Sequence, residues 1–543
     1  MISVSSKKSV LRIFKYVFNR FIGLGSYVND TPILSISFFA IFLSFLSIEI
    51  YEGVVINQNF KIFTIFLLSI PLLSILFTGF QLVAFSRKCK DGAGGLTKGV
   101  QILFFSLLIG FRLLFSFVSD YKIVKNIQGF TQGFGPKSIQ ILDISHSRGD
   151  TQEVLFKIDG VIGVGKVDWF ENLNIGSVCN TYASIEEPEN FDEFNYVRYL
   201  KNKNIYLRTS EIEIESCSND FPIKNPSDIF LWVKGKLRGF REMLSKKVEM
   251  YLPEPQASLL IGILFGSERA FSDSFEEMLR ISGTTHIIAA SGYNITILIL
   301  ASNKILGFIK KKYRLVLSLF LIWAYCILSG LGASILRATM MGTITIFALL
   351  SGNVRNTHLL IPSGTLFLIL LNPRILFDIG FQLSILATLG LIYLLPSIES
   401  CLEKAFKVKS VPQFWEENLL GTISCTLSTL PISISIFGKV SLVSIFANVL
   451  VLPLTESTML YGSIAVLISF LSNTLAKVAF SLPYVQLKVF EGVVEFFGGI
   501  EWGYLDVNIG WIGWIIGLFL CLFCIYFYPL DQESYYAKRL KDI

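Results

Sequence analysis

Residues Asn372–Pro396 read NPRILFDIGFQLSILATLGLIYLLP. The apolar run 375–396 is long enough, at about 1.5 Å per residue, to cross a hydrocarbon layer roughly 30 Å thick. It nevertheless carries Asp378, Gln382 and Ser384 near its start. An apolar segment of this length excludes an ordinary soluble helix, and its internal polar residues argue against a passive anchor. Similar runs recur at 284–308, 315–331, 333–351, 359–371, 419–437, 442–472 and 509–528, and before the middle of the chain at 33–50, 62–85 and 100–118. Together they predict a polytopic α-helical membrane protein of about ten or eleven spans, some of them short or broken half-helices.

Composition agrees. The chain has 543 residues, of which 52% are hydrophobic and only 16% charged, with mean hydropathy +0.59. Soluble domains average about 25% charged residues, so a soluble multidomain enzyme is excluded on this ground, and disorder on the ground of aromatic content. Net charge is +6, but it is not spread as a polyanion-binding coat: residues 1–118 hold 11 Lys+Arg against 4 Asp+Glu, and 119–257 hold 17 against 20. Lys7, Lys8, Arg12, Lys15 and Arg20 precede the first run, and Arg87, Lys88, Lys90 and Lys98 fill the loop 86–99. The positive-inside rule puts both in the cytoplasm and sends the third span outward. The first run has a basic start but no small-residue cleavage site, so it reads as an uncleaved span.

The character changes between 119 and 227. SIQILDIS (Ser138–Ser145), TQEVLFKI (Thr151–Ile158) and SVCNTYASI (Ser177–Ile185) are short, loosely alternating and β-branched, with Gly, Asn, Asp and Pro between them. About six such strands predict a small OB-like barrel or a sandwich on the outer side. Cys179 and Cys217 both fall in it; a disulfide and two free thiols are both open readings, since spacing does not give their separation. Residues 228–256 follow as an amphipathic segment with six basic residues between 234 and 247 interleaved with Phe230, Leu231, Trp232, Leu237 and Phe240. It reads as an interfacial helix, with a DNA-facing basic strip as the alternative. The membrane core occupies 257–530, with basic turns at Lys310–Arg314 and at Lys404, Lys407 and Lys409, and a polar tail closes the chain at 531–543.

Four stretches of the core carry polar residues. Leu279–Leu298 (LRISGTTHIIAASGYNITIL) presents His286, Ser291, Gly292 and Asn294, small or hydrogen-bonding residues suited to close helix contact. His286 and Ser291 are five apart, roughly 500° around a helix, and no acid or oxyanion motif accompanies them, so a Ser–His hydrolase is disfavoured. Ala333–Met341 (ASILRATMM) places Arg337 in an apolar run; it faces an aqueous path or snorkels to the outer surface, and Arg112 in the third span leans towards snorkelling. In Asn372–Pro396, Arg374 and Asp378 are four apart and pair if they share a helix face; a helix-start carboxylate is the alternative role for Asp378. Ser441–Gly462 (SLVSIFANVLVLPLTESTMLYG) reads as a helix broken at Pro453, with Asn448, Glu456 and neighbouring hydroxyls around the break. No cofactor is expected: Asp91–Lys98 (DGAGGLTK) lacks the Ser or Thr of a P-loop, Cys521 and Cys524 have no partner ligands, and three histidines build no metal cluster.

In order, LRISGTTHIIAASGYNI, SILRA, NPRILFDIGFQLSILATLGL and ANVLVLPL resemble the ComEC family of competence proteins, bacterial inner-membrane channels for transforming DNA. The resemblance covers about 230–500, and Glu189–Asn204 (ENFDEFNYVRYLKNKN) is similar to the family's junction after its extracytoplasmic OB-like domain. It implies a multi-pass protein of the bacterial cytoplasmic (inner) membrane that passes single-stranded DNA and is not itself an enzyme. By motif match, His286, Ser291, Gly292, Arg337, Asp378, Phe381, Gln382, Ser384, Asn448 and Pro453 are core positions. Two departures stand out. The family commonly has His near Asn294, and the metallo-β-lactamase-like domain found at the C-terminus of many members is not expected after the tail. The resemblance then implies a separate nuclease, a cytoplasmic ATPase motor and a DNA receptor as partners, besides membrane lipids. A flippase for an envelope precursor, and less so a membrane enzyme using Glu456 or His286, are the competing classes.

Overall fold

The computed structural model describes residues 112, 134–144, 151–168, 173–190, 196–210, 212–218, 226–266, 271–288, 292–350, 360–406, 416–500, 502–507 and 516. The runs 33–50, 62–85 and 100–118 (Arg112 apart), the loop 86–99, Ser291, Lys407 and Lys409, the run 509–528 (residue 516 apart) and the tail lie outside the described residues. The chain divides into two compact units, Met1–Phe130 with Phe347–Asp378, and Thr131–Ile346 with Ile379–Ile543.

The second unit opens with strands β1 (Phe134–Ile144), β2 (Thr151–Ile158), β3 (Val161–Asp168), β4 (Val178–Ser184), β5 (Leu207–Thr209) and β6 (Ile212–Ser218), with helix α1 (Tyr196–Asn202) between β4 and β5. They hydrogen-bond in the order β5-β3-β2-β1-β4-β6. β3 and β5 run parallel, and the other pairs are antiparallel. The two end strands are joined only by residues 210–211, a reach of about 10 Å. The sheet is therefore rolled rather than open. Ile139, Ile141, Val154, Phe156, Val161, Val167 and Leu207 fill it, the inward half of the period-2 alternation, while Val164 on the other face packs against Leu200 and Ile205. Gly165 lies so close to Thr209 and Ile212 that a Cβ there would sit 2.3 Å from Thr209 Cγ2, which lets β3 approach both end strands.

Helices follow: α2 (Pro226–Glu249), α3 (Gln256–Phe265), α4 (Asp273–Ile281), α5 (Thr285–Ile288), α6 (Gly292–Ile305), α7 (Lys311–Leu328), α8 (Ala333–Leu350) and α9 (Leu360–Leu371). A 3₁₀ turn, Pro373–Phe377, precedes α10 (Ile379–Leu389), a π segment at Gly390–Leu394 and α11 (Leu395–Phe406). A second π segment, Glu416–Leu420, leads into α12 (Gly421–Phe437). Then come β7 (Lys439–Ser441), α13 (Ser444–Ile468), α14 (Asn473–Gly498) and β8 (Tyr504–Asp506), with β7 and β8 paired antiparallel.

Among the described residues, three helical stretches are long and apolar enough to cross a membrane: Ile379–Glu399, Asn418–Phe437 and Ser444–Ile468. Two sequence expectations change, and one helix is added. Pro453 does not break its helix, because α13 runs unbroken through it. A proline inside a helix removes one N–H, here the donor to Val449, but neighbouring helices can hold the remaining turns in place. Arg374 and Asp378 do not share an α-helix face. Residues 373–377 form a 3₁₀ turn, and Asp378 leaves it in an extended conformation with ψ 122°. Finally, residues 473–498, which raw hydropathy passes over because Lys477, Lys488, Glu491 and Glu495 interrupt them, form the 26-residue helix α14, antiparallel to α13.

Candidate translocation core

The first predicted motif folds into a locked turn. The Ser272 hydroxyl caps α4 by accepting from the Phe275 N–H at 3.4 Å. At its other end Gly283 takes φ +69°, and a Cβ there would sit 2.4 Å from Ser444 Cβ, so both conformation and space demand glycine. Ser282 donates to Leu279 O or meets Thr284 Oγ1 at 2.8 Å, and both residues are fully buried. From β7, Ser441 Oγ donates to Ile281 O at 2.6 Å. The exposed His286 ring lies with Nδ1 3.1 Å from the Gly283 carbonyl.

After this turn, α6 ties several helices together. Asn294, 1% exposed, donates from Nδ2 to Ile263 O on α3 at 3.1 Å and to the Tyr325 hydroxyl on α7 at 2.8 Å. A carboxamide serves here because it offers two donors from one small buried group. Ser302 and Ser318 join α6 to α7 at 2.6 Å, and Trp323 Nε1 donates to Thr343 Oγ1, joining α7 to α8 at 3.1 Å. A Cβ on Gly292 would lie 3.2 Å from Ala338 Cβ, so glycine lets α6 approach α8.

Arg337 does not snorkel. It is 3% exposed, donates from Nη1 to the Phe381 carbonyl at 3.1 Å and reaches Ser334 Oγ at 3.4 Å. Its guanidinium lies 5.2 Å from the centre of the Phe381 ring, a cation–π contact that joins α8 to α10. Phe381 is itself buried, and Gln382 and Ser384 are half-buried on the next turn of α10. Below them, the π segment at Gly390 brings α10 so close to α12 that a Cβ would sit 2.4 Å from Ser428 Oγ.

On α13, Glu456 is exposed and accepts from the Tyr293 hydroxyl of α6. Ser457 and Thr458 engage Gln486 of α14, which donates to Ser457 Oγ at 2.9 Å and accepts from Thr458 at 3.1 Å. Asn448, on the same helix, is 5% exposed and its Oδ1 finds no hydrogen-bond partner among the described residues. In the first unit, Arg112 is not left to reach solvent; it donates to the carbonyls of Leu370 at 2.9 Å and Leu371 at 2.5 Å, the free C-terminal end of α9. Asp378 closes the 3₁₀ turn immediately before α10, the place a carboxylate suits a helix start.

Sequence reasoning passed over two buried carboxylates, Glu399 and Glu491. Glu491 on α14, 6% exposed, accepts from Gln256 Nε2 at 2.5 Å and from Lys488 Nζ at 2.6 Å. The only clue to Glu491 was a Lys–Glu pair three apart in a stretch of the core to which no apolar run was assigned. Glu491 lines a cavity of about 820 Å³ together with Glu242, Glu249, Glu254, Glu495 and one cation, Lys246. In the β-domain, Cys179 and Cys217 stand directly opposite each other on β4 and β6 and form a disulfide.

Residues 263–532 match the family model described as Competence protein. ComE operon protein 3 of Bacillus subtilis (strain 168) is 26% identical over 399 residues, which are 70% of this chain and 48% of that protein. The chain thus spans about half the length of the curated relative it matches. No solved structure matches it. All four polar motifs of the core, from Leu279 to Gly462, lie within the matched interval, and the buried contacts of Asn294, Arg337 and Phe381 are made by residues of those motifs. The chain belongs to the ComEC family of competence proteins.

Proposed function

We propose that this protein is a multi-pass channel of the bacterial cytoplasmic membrane that imports single-stranded DNA during natural transformation. Membership of the competence family implies a part in DNA uptake; the channel role is the finer reading. The observation that carries it is the set of buried polar ties in an otherwise apolar core, Asn294 to Ile263 and Tyr325, and Arg337 to Phe381. Such groups are expensive in a membrane core, and a passive anchor has no use for them. Short helices and the extended residue Asp378 point the same way, since non-helical backbone at membrane depth needs cover from protein or a watery path.

In this reading His286, Ser291, Gly292, Asn294, Arg337, Asp378, Phe381, Gln382, Ser384, Asn448, Pro453 and Glu456 belong to the translocation core, in two roles. Asn294, Arg337 and Phe381 position its walls. Glu456, exposed and hydrogen-bonded to Tyr293, is a group a phosphate chain would meet, and the hydroxyl partner softens its repulsion. The core carries out no chemistry of its own; a DNA receptor, a nuclease and a cytoplasmic ATPase motor act as partners. The rolled six-stranded sheet is OB-like in this reading, supported by its meander β1-β2-β3 and the parallel β3–β5 pair.

The experiment is a deletion strain measured for transformation and for uptake of labelled DNA, with envelope lipids analysed in parallel. Loss of uptake with a normal envelope is expected. Normal uptake with altered envelope lipids would replace the channel by a flippase.

A further inference from the structure

Helix α2 presents two unlike faces. One faces the β-domain and its cations are consumed there. Lys234 Nζ lies 2.7 Å from Asp143 Oδ2 and 3.2 Å from Leu142 O. Arg238 lies 3.5 Å from Asp143 Oδ1 and 2.8 Å from Glu242 Oε1. Gly235, between them, lies against the β-domain, where a Cβ would be in ordinary contact at 3.4 Å from Ile175 O. The other face is apolar and uncovered among the described residues. Ile229, Trp232, Val233, Phe240, Met243 and Met250 are each at least 40% exposed. Steps of one, three, four or seven along this series keep them on one side at 3.6 residues per turn.

Cations share the apolar face: Lys236 and Lys247 fall within its arc and Lys246 at its margin. Among the described residues, Lys236, Lys246 and Lys247 form no ion pair; Lys236 lies 5.8 Å over the Trp232 ring and Lys247 5.5 Å over that of Phe470. A small cavity of about 320 Å³ is lined by Lys246, Lys247, Met243, Met250, Gly239 and Glu242. Its Glu242 is already engaged by Arg238, which leaves two lysines above two methionines. The depth of this face is set independently. Phe470 lies just beyond the end of α13, a span-length helix, and Tyr251, just after α2, donates to Asn473 at the start of α14 at 2.9 Å and stacks on Phe480. The C-terminal end of α2 therefore sits where a membrane-crossing helix ends.

We propose that α2 lies in the membrane interface as an anionic-lipid site, with Trp232, Phe240, Met243 and Met250 in the acyl boundary and a phospholipid phosphate held by Lys246 and Lys247. The opposite face, through Lys234, Arg238 and Asp143, fixes the β-domain to the bilayer surface. An anionic bilayer fits better than the alternatives for two reasons. A nucleic-acid strip would turn cations outward with few large aliphatic side chains among them, whereas here tryptophan, phenylalanine and two methionines share the outward face with the lysines. A second copy would bring like lysines together at the margin. The lipid site stands independently of DNA passage.

The test uses the full chain carrying a photo-crosslinking amino acid at Phe240 or at Trp232. The chain is reconstituted into vesicles of phosphatidylglycerol mixed equally with phosphatidylcholine, with labelled single-stranded DNA present. Lipid adducts at both positions are expected. Adducts mainly to DNA would make α2 a nucleic-acid surface, and adducts to protein, including this chain's own N-terminal segment, would make it a buried interface; either overturns the proposal. The variant K246Q/K247Q should lower phosphatidylglycerol enrichment over phosphatidylcholine about fivefold per lysine removed, with lipid adducts at Phe240 retained. Unchanged enrichment overturns the phosphate site. Wild-type protein in high salt serves if the variant does not fold: enrichment should fall as the charges are screened, while adducts persist.

Discussion

The rolled β-domain and the helical core solve opposite problems with the same chain. In the β-domain water surrounds the fold, so hydrophobic burial alone decides which side of each strand faces in. Phe156, Ile141 and Leu207 are buried while Lys166 and Asp168 at the end of β3 are exposed. In the core, apolar residues stand on both sides: Leu259 and Phe480 are buried, but Phe320, Phe446 and Val478 are exposed. Where surroundings are as apolar as the interior, burial no longer selects a face, and polar ties and close glycine contacts select it instead. Register and a covalent bridge hold the first region; Asn294, Arg337 and Gly283 hold the second.

The largest expected effect tests the first half of that contrast. Replacing Cys179 and Cys217 by serine removes a bridge that closes a loop with a sequence separation of 38, and should cost the β-domain about 2–5 kcal/mol. Limited proteolysis should then cut within 134–218 well before the helical core; equal sensitivity of both regions would show that they do not unfold separately.

Next comes the core's own tie. Arg337→Ala removes a charged donor from the Phe381 carbonyl, a loss of about 1.5–3 kcal/mol, and should lower labelled-DNA uptake at unchanged membrane level. Arg337→Lys keeps the charge but not the planar contact with the Phe381 ring, so it should rescue only partly. Full uptake by Arg337→Ala would remove Arg337 from the core's working parts.

A smaller effect is expected of Asn294→Leu, which leaves Ile263 O and the Tyr325 hydroxyl without this donor, at about 1–3 kcal/mol shared with local relaxation. The helical core's thermal midpoint in detergent should fall while proteolysis of the β-domain stays unchanged. Smallest of all is Pro453→Ala. Because α13 is already continuous there, the substitution restores one N–H and should leave uptake and stability within about 0.5 kcal/mol of wild type. A severe defect would mean that the proline's helix does open in use.

Much of the architecture is legible in the amino-acid sequence alone. The membrane class follows from apolar runs, since run length against bilayer thickness is a one-dimensional property. The motifs around His286, Asn294, Arg337 and Phe381 are legible too, because polar residues in an apolar stretch stand out without coordinates. Helix α14 is not: Lys488 and Glu491 lower its hydropathy, yet in three dimensions they neutralise each other beside Gln256. Pro453 misleads for a related reason, since a helix held by tertiary contacts survives a proline that an isolated one would not. The helix-face relation of Arg374 and Asp378 is not legible either, because a spacing of four marks one face only inside an α-helix, and residues 373–377 take a tighter turn.

The sequence by itself determined the solvent of each region, apolar for the core and aqueous for the β-domain, because transfer free energies act residue by residue and add along the chain. Which residues meet was decided only by the tertiary structure. The pairing of Cys179 with Cys217 depends on a register 38 positions apart in sequence, and the choice of Phe381 as partner of Arg337 on one 44 apart. Hydrogen bonds and ring contacts are short-ranged and directional, so the fold must first bring their partners together.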